Sequence, residues 1–369
     1  MRVIVTGGGT GGHIYPAMAI AKGLLDKVNN MQVLYIGTRN GMEAKIVPEN
    51  GLDFRGISGR GLPRKVSIET FKAAGTTLRA FGETKNIMKQ FKPDLVVGTG
   101  GYVSGPVVFT AAFFGVPTLL HEQNALPGIT NKLLSKMVKR VLVTFPESEK
   151  YFGVKEKLTV VGLPVREEIG TITRKEGAHA FGLDSAKRTI LVTGGSRGAL
   201  SLNNAMLDIL PVLAEHPEIQ LIWATGAGNY ESVVTVMEDR GLNRQTESWR
   251  IMPYINTIPH ALAGADLCVC RSGASTLAEL SAAGRASILI PYPYAAENHQ
   301  EYNARAFENH QASYVILDKE LSGPVLWNTI QNIIFDPIKT ESMEARAKEI
   351  FKPGALDRIV TLCLETAWR

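Results

Sequence analysis

The chain has 369 residues, enough for two domains of ordinary size, each with its own core. With 45% hydrophobic and 20% charged residues, its composition is that of a soluble globular protein rather than a membrane-spanning one. Net charge is unevenly spread, +10 over residues 1–163 against −5 over the remainder. That basic first half suits an anionic partner such as an acidic membrane surface or nucleic acid, or else a solvated surface of mixed charge.

The opening MRVIVT reads as a short buried strand and needs no signal peptide to explain it. It runs into GGGTGGHIYP (7–16), and from Pro16 the residues Ala17, Ile20, Ala21, Leu24 and Leu25 recur at helical spacing. The helix is expected to start at Pro16, whose missing N–H costs nothing in a first turn. Strand, glycine loop and helix end together make an anion site, with His13 where loop meets helix. Gly7, Gly9 and Gly12 also satisfy GxGxxG. However, the second strand ends Tyr35-Ile36-Gly37-Thr38-Arg39, without the carboxylate that a dinucleotide ribose requires. Arg39 would suit an NADP enzyme, but that reading leaves the later motifs unexplained.

The segment 58–81 opens with Arg60, Arg64 and Lys65, then becomes a helix with Ile68, Phe71, Leu78 and Phe81 spaced along it. Those residues form either a core face beside a basic loop or an amphipathic surface for an anionic membrane. A nucleic-acid site is excluded for want of an aromatic platform or motif. The charge-free run Leu95–Leu120 is long enough to span a bilayer, but its glycines and prolines cut it into strand, loop and helix. HEQNALPG (121–128) then places His121, Glu122, Gln123 and Asn124 in one polar loop after a strand, as in the crevice of an α/β sheet.

Near Gly162–Arg166 the pattern pauses, and RTILVTGGSRGALS (188–201) repeats the opening strand, Thr-Gly-Gly and helix. Further strand-like runs are IQLIWATG, ADLCVCRSG and ASILIPYP. Cys268 and Cys270 are expected on opposite faces of one strand as core thiols of a reducing compartment. The segment Arg271–Glu279 offers amides and hydroxyls for phosphate and a carboxylate for a ribose diol. Thr276 and Glu279 equally fit a capping box. PYPYAAENHQEYNA (291–304) leads to Gln300 and Asn303, suited to sugar hydroxyls or to turns. No D-x-D, H-x-H or HExxH occurs, so no metal site is expected. Residues 341–369 read as helical. The fold class is thus α/β, with two Rossmann-like doubly wound domains facing a cleft.

GGGTGGHIYP, GTGGYVSGP, HEQNALPG, GLPVR, TGGSRGA, CRSGASTLAE and NHQEYNA resemble, in order and rough spacing along the whole chain, the MurG family. Its members are two-domain GT-B glycosyltransferases of peptidoglycan synthesis. The resemblance implies an acceptor- and membrane-binding domain at 1–163, a UDP-GlcNAc-binding domain at 164–340, and helices at 341–369 that can pack back on the first domain. It implies UDP-GlcNAc as donor, lipid I as acceptor, no cofactor, and a peripheral location on the cytoplasmic face of the plasma membrane. Oligomeric state stays open.

Donor contacts implied by the resemblance fall on Thr10, Gly11, Gly12, Asn124, Arg166, Ser196, Gln300 and the Ile255 backbone at uracil. The run Ala274, Ser275, Thr276, Leu277, Ala278 and Glu279 corresponds to the diphosphate and ribose loop, with Gln300 and Asn303 on the GlcNAc hydroxyls. The implied reaction is a single inverting displacement, without metal. A base takes the acceptor proton: His13 is the candidate and Glu122 the reserve, with an orienting or capping role the alternative for His13. Membrane contact falls to Arg64, Lys65, Ile68, Phe71, Leu78 and Phe81. The alternatives are another GT-B glycolipid transferase or a non-catalytic nucleotide-sugar-binding subunit.

Overall fold

The structure, a computed structural model, describes residues 1–59, 68–195, 197–243 and 246–368, with the backbone alone for 68–74. Arg64, Lys65 and Ser196 therefore lie outside the described residues, as do the side chains of Ile68 and Phe71. The chain divides into two units. One comprises Met1–Pro164 together with the chain from Lys352 onward, the other Val165–Phe351.

Unit 1 is built on seven parallel strands: β1 (Arg2–Thr6), β2 (Gln32–Thr38), β3 (Asp53–Ile57), β4 (Leu95–Gly98), β5 (Thr118–Glu122), β6 (Arg140–Val143) and β7 (Leu158–Val160). Their order is β3-β2-β1-β4-β5-β6-β7. The central strands are continuously buried, because helices cover both faces of a parallel sheet. Val3, Val5 and Val97 face one cluster with Ile20 and Leu24 of helix Gly11–Lys27. Ile4, Val96 and Leu120 face the other, with Val107 and Val108 of helix Ser104–Phe113.

Unit 2 repeats the plan with six parallel strands: β8 (Arg188–Thr193), β9 (Ile219–Ala224), β10 (Trp249–Met252), β11 (Leu267–Cys270), β12 (Ala286–Leu289) and β13 (Ser313–Val315), ordered β10-β9-β8-β11-β12-β13. The sequence reading missed β10 and β13, which are short edge strands with partly exposed residues. Cys268 and Cys270 share one face rather than opposing each other, as residues two apart in a strand must. Leu267 and Val269 take the other face, in the main core of the unit.

The terminal segment 341–369 is not one block. Helix Pro337–Ile350 stays with unit 2, where Met343 enters the core and Arg285 pairs with Glu344 at 3.4 Å. Helix Ala355–Ala367 returns to unit 1, its Ile359, Val360 and Cys363 buried beside helix Gly11–Lys27.

In each sheet the strand order reverses once, between β1 and β4 in unit 1 and between β8 and β11 in unit 2. Loops leaving the carboxyl ends there diverge and open a crevice, where α/β folds place ligands. In unit 1 the two loops also touch. Gly101 has φ +80°, and a Cβ there would lie 2.1 Å from the Gly8 carbonyl oxygen. Gly101→Ala combines a left-handed backbone with this clash, so the thermal midpoint is expected to fall by several degrees, from a loss of about 1–3 kcal/mol. Calorimetry of the full chain checks it.

Candidate active site

In unit 1, helix Gly11–Lys27 begins five residues earlier than Pro16. Thr10 is its extended N-cap, makes no side-chain cap bond, and accepts from the N–H groups of His13 and Ile14, each at 3.1 Å. Gly11, Gly12 and His13 thus form the first turn, whose leading N–H groups have no partner within the helix. Pro16 sits inside the second turn, where its missing N–H forfeits the regular helical bond to the Gly12 carbonyl.

A carboxylate that the sequence reading missed holds this loop. Glu43, wholly buried, accepts from the Thr38 N–H at 2.9 Å, the Thr38 hydroxyl at 2.7 Å and the Gly9 N–H at 3.4 Å. The Tyr35 hydroxyl donates to the Gly7 carbonyl at 2.7 Å, and burial raises its pKa far above the ordinary phenol range, so it stays a donor. Nothing in the run GMEAKIV marks Glu43 as different from a helix-surface glutamate.

His13 is half-buried. Its Nδ1 lies 3.0 Å from the Thr99 carbonyl oxygen and 2.9 Å from Gln123 Oε1. Gln123 in turn contacts His121, whose Nε2 lies 3.0 Å from the Gly162 carbonyl. Burial pushes His121 down to about 4. Glu122 is 1% exposed, and both its oxygens are occupied. Oε1 accepts from the Asn124 N–H at 2.9 Å and its amide at 3.2 Å; Oε2 accepts from the Gly128 N–H at 3.2 Å and the Asn131 amide at 2.8 Å. That carboxylate holds the loop and aims Asn124; it has no lone pair left for a substrate proton.

In unit 2, a cavity at the reversal of strand order is lined by Thr193, Gly195, Tyr254, Ile255, Cys268, Cys270, Arg271, Thr276 and Glu279, among others. Helix Ala274–Ala283 points its N-terminus there. Gly273 is its N-cap and offers no side chain, so the N–H groups of Ala274, Ser275 and Thr276 are left for an anion. This start places Glu279 in the second turn, beyond the reach of a capping box. Burial raises its pKa, which Arg166, 3.6 Å away, partly offsets. Leu277 is wholly buried and serves the helix, not the cavity.

Arg271, missed as a site residue, clamps the cavity wall. Its guanidinium donates to the carbonyls of Ile290 and Pro291 at 3.1 Å each, to Asp318 at 2.5 Å and to Ser201 at 3.0 Å. Gln300 lies in the first turn of helix His299–Asn309, with Oε1 accepting from the Tyr292 N–H at 3.0 Å. Asn303 departs from expectation. It is wholly buried, and its amide donates to the Ser272 carbonyl at 3.2 Å, so it braces the loop from behind instead of facing a sugar.

Residues 3–143 match the glycosyltransferase family 28 N-terminal domain, and residues 189–359 its C-terminal domain. The chain is 58% identical over 369 residues, covering all of both chains, to the UDP-N-acetylglucosamine--N-acetylmuramyl-(pentapeptide) pyrophosphoryl-undecaprenol N-acetylglucosamine transferase of Desulfitobacterium hafniense (strain DSM 10664 / DCB-2). It is 46% identical over 366 residues to the enzyme of the same name from Desulforamulus reducens, covering 99% of this chain and 98% of the other. Among solved structures, Acinetobacter baumannii MurG superposes with TM-score 0.79 at 29% identity, over 99% of each chain.

The raised pKa of Glu279 has a measurable sign. A carboxyl whose folded pKa lies above its unfolded value holds its proton longer when folded, so stability falls as pH rises through that window. Without ligand, Glu279→Gln is therefore expected to be more stable than the parent at neutral pH, with the gap closing below the ordinary carboxyl range. Thermal melts across pH check it.

Proposed function

Because the chain belongs to the MurG family within glycosyltransferase family 28, we propose that it transfers GlcNAc from UDP-GlcNAc to the MurNAc 4-hydroxyl of lipid I, giving lipid II. Its two parallel α/β units are those of a GT-B glycosyltransferase. The observation that carries the donor half is the uncapped N-terminus of helix Ala274–Ala283 opening on a cavity that also holds Glu279. A nucleoside diphosphate fits both. The diphosphate takes the free N–H groups of Ala274, Ser275 and Thr276 with Arg166 beside them, and the Glu279 carboxylate accepts from the ribose hydroxyls. Ile255 supplies backbone to the uracil, and Gln300 reads the GlcNAc. Thr10, Gly11, Gly12 and Asn124 supply the donor contacts of unit 1.

Chemistry then needs two things. Negative charge growing on the departing diphosphate is met by the helix end and Arg166, already oriented before the bond breaks. The attacking hydroxyl needs a base, and His13 is the group with a nitrogen to offer. Its Nδ1 is engaged by Thr99 and Gln123, while both oxygens of Glu122 are taken.

For the membrane we propose a peripheral attachment to an anionic inner leaflet through unit 1. Among the described residues no helix is long and apolar enough to cross a bilayer. An exposed aromatic cluster is present instead: Phe113 is 70% exposed and Phe114 51%, with Phe109 stacked on Phe113 at 6.3 Å and Phe81 edge-on to Phe109 at 5.3 Å. Leu78 stands out at 72% exposed on the helix that carries Phe81. Lys85 lies 5.5 Å over the Phe114 ring, and with Arg2, Lys89 and Lys92 it lines an adjoining hollow. Rings among the acyl chains and cations at the headgroups is the arrangement of an interfacial anchor.

Transfer of labelled GlcNAc to a short-chain lipid I analogue is expected to proceed in EDTA and to fail with other uridine sugars; tight UDP binding without transfer would overturn the reading. His13→Ala should lower kcat by roughly 10²–10⁴ with the KM for UDP-GlcNAc little changed. Phe113→Asp with Phe114→Asp should weaken binding to anionic vesicles about tenfold or more and leave UDP affinity intact, as vesicle sedimentation would show.

A further inference from the structure

Five groups in unit 1 form a hydrogen-bonded chain in which the place of every proton is determined: Thr99, His13, Gln123, His121 and Gly162. The Gln123 amide nitrogen lies 2.8 Å from the His121 carbonyl oxygen, which can only accept. The NH2 group must therefore sit there, and Oε1 must face His13. His13 Nδ1 then has two acceptors around it, Gln123 Oε1 at 2.9 Å and the Thr99 carbonyl at 3.0 Å, so Nδ1 carries the hydrogen. The second N–H of Gln123 reaches His121 Nδ1 at 3.1 Å, which accepts it. His121 is thus protonated at Nε2 and donates to the Gly162 carbonyl at 3.0 Å. Three backbone carbonyls admit one solution.

We propose that Gln123 is the positioning residue of the proton acceptor: it holds His13 as the Nδ1–H tautomer and so leaves the Nε2 lone pair for the substrate hydroxyl. This rests on the reading of His13 as base. In the transfer, the O–H bond of the acceptor breaks and its proton goes to Nε2. The oxygen electron pair forms the new bond to C1 of GlcNAc, and the pair of the old C1–O bond leaves with UDP. The imidazolium so formed keeps its Nδ1–H on the same two oxygens, so nothing has to reorganise. In the opposite tautomer the Nδ1 lone pair would face two oxygens at hydrogen-bond distance.

The surroundings keep the chain in one state. Gln123 is 1% exposed and His121 is wholly buried, so water does not compete for their groups. A second proton on His121 would reverse the Gln123 amide and with it the His13 tautomer. Burial, which lowers the His121 pKa to about 4, prevents this at neutral pH.

The test uses the full-length protein with nitrogen-15-labelled histidine. A long-range proton–nitrogen spectrum at alkaline pH reads which ring nitrogen carries the hydrogen, and transfer to the lipid I analogue is measured in parallel. The expected result is Nδ1–H for His13 in the parent. In Gln123→Met the Nε2–H form should gain population and kcat should fall about tenfold, with the KM for UDP-GlcNAc unchanged. An Nε2–H ring in the parent, or an unchanged tautomer in Gln123→Met, overturns the proposal. Should Gln123→Met not fold, Gln123→Glu keeps an oxygen beside Nδ1: retention of Nδ1–H supports the lock and its loss overturns it. Failure of the base reading shows separately, as full turnover in His13→Ala.

Discussion

Everything in unit 1 depends on two glycine loops being pressed together where the strand order reverses. β1 and β4 are hydrogen-bonded neighbours, so the loops that leave them start one strand spacing apart. No side chain fits between them at Gly8 and Gly101, and the Thr99 N–H donates to the Thr6 carbonyl at 2.9 Å at the point of divergence. That contact fixes the first turn of helix Gly11–Lys27 against the Thr99 carbonyl, which is one of the two oxygens that orient His13. The glycines thus serve less to admit a ligand than to bring an imidazole and a carbonyl from two different loops to bonding distance.

Unit 2 solves the same topological problem with side chains. Its loops after β11 and β12 are held by the Arg271 guanidinium, which spans two carbonyls, Asp318 and Ser201. A half-buried cation so fully paired is a brace rather than a ligand group. The end of helix Ala274–Ala283 just beyond it is bare, because Gly273 at the N-cap has no side chain to satisfy the leading N–H groups. A serine or aspartate there would stabilise the helix and close the anion site.

The inner strands were legible because both faces are buried and apolar runs mark them; the edge strands β3, β7, β10 and β13 were not, being short with mixed burial. Helix starts were harder. Pro16 looked like a first-turn residue because its ring suits that place, yet the helix begins at Gly11, where no apolar spacing could announce it. The same uncertainty left the residues around Glu279 open to a capping reading, which the observed start at Ala274 removes. Nothing in the sequence ties Gln123 and Glu43 to the first loop, since the partners that connect them to it, His13 and Gly9, lie 110 and 34 residues away along the chain. Asn303 shows the converse: a residue type suited to sugar hydroxyls that long-range packing has turned inward.

Glu43 and Glu122 of unit 1 and Glu279 of unit 2 can be ranked by what already occupies their oxygens. Glu43 accepts three hydrogen bonds and Glu122 four, all from the protein, so both serve to hold loops. Among the described residues Glu279 has a single cation, Arg166 at 3.6 Å, and burial raises its pKa. An under-satisfied carboxylate in a desolvated cavity costs stability, and it repays that cost only when hydroxyl donors arrive. The arrangement therefore separates roles that residue type alone leaves mixed. In the proposed function the well-satisfied carboxylates hold loops, the under-satisfied one is left for a diol, and proton acceptance falls to the imidazole.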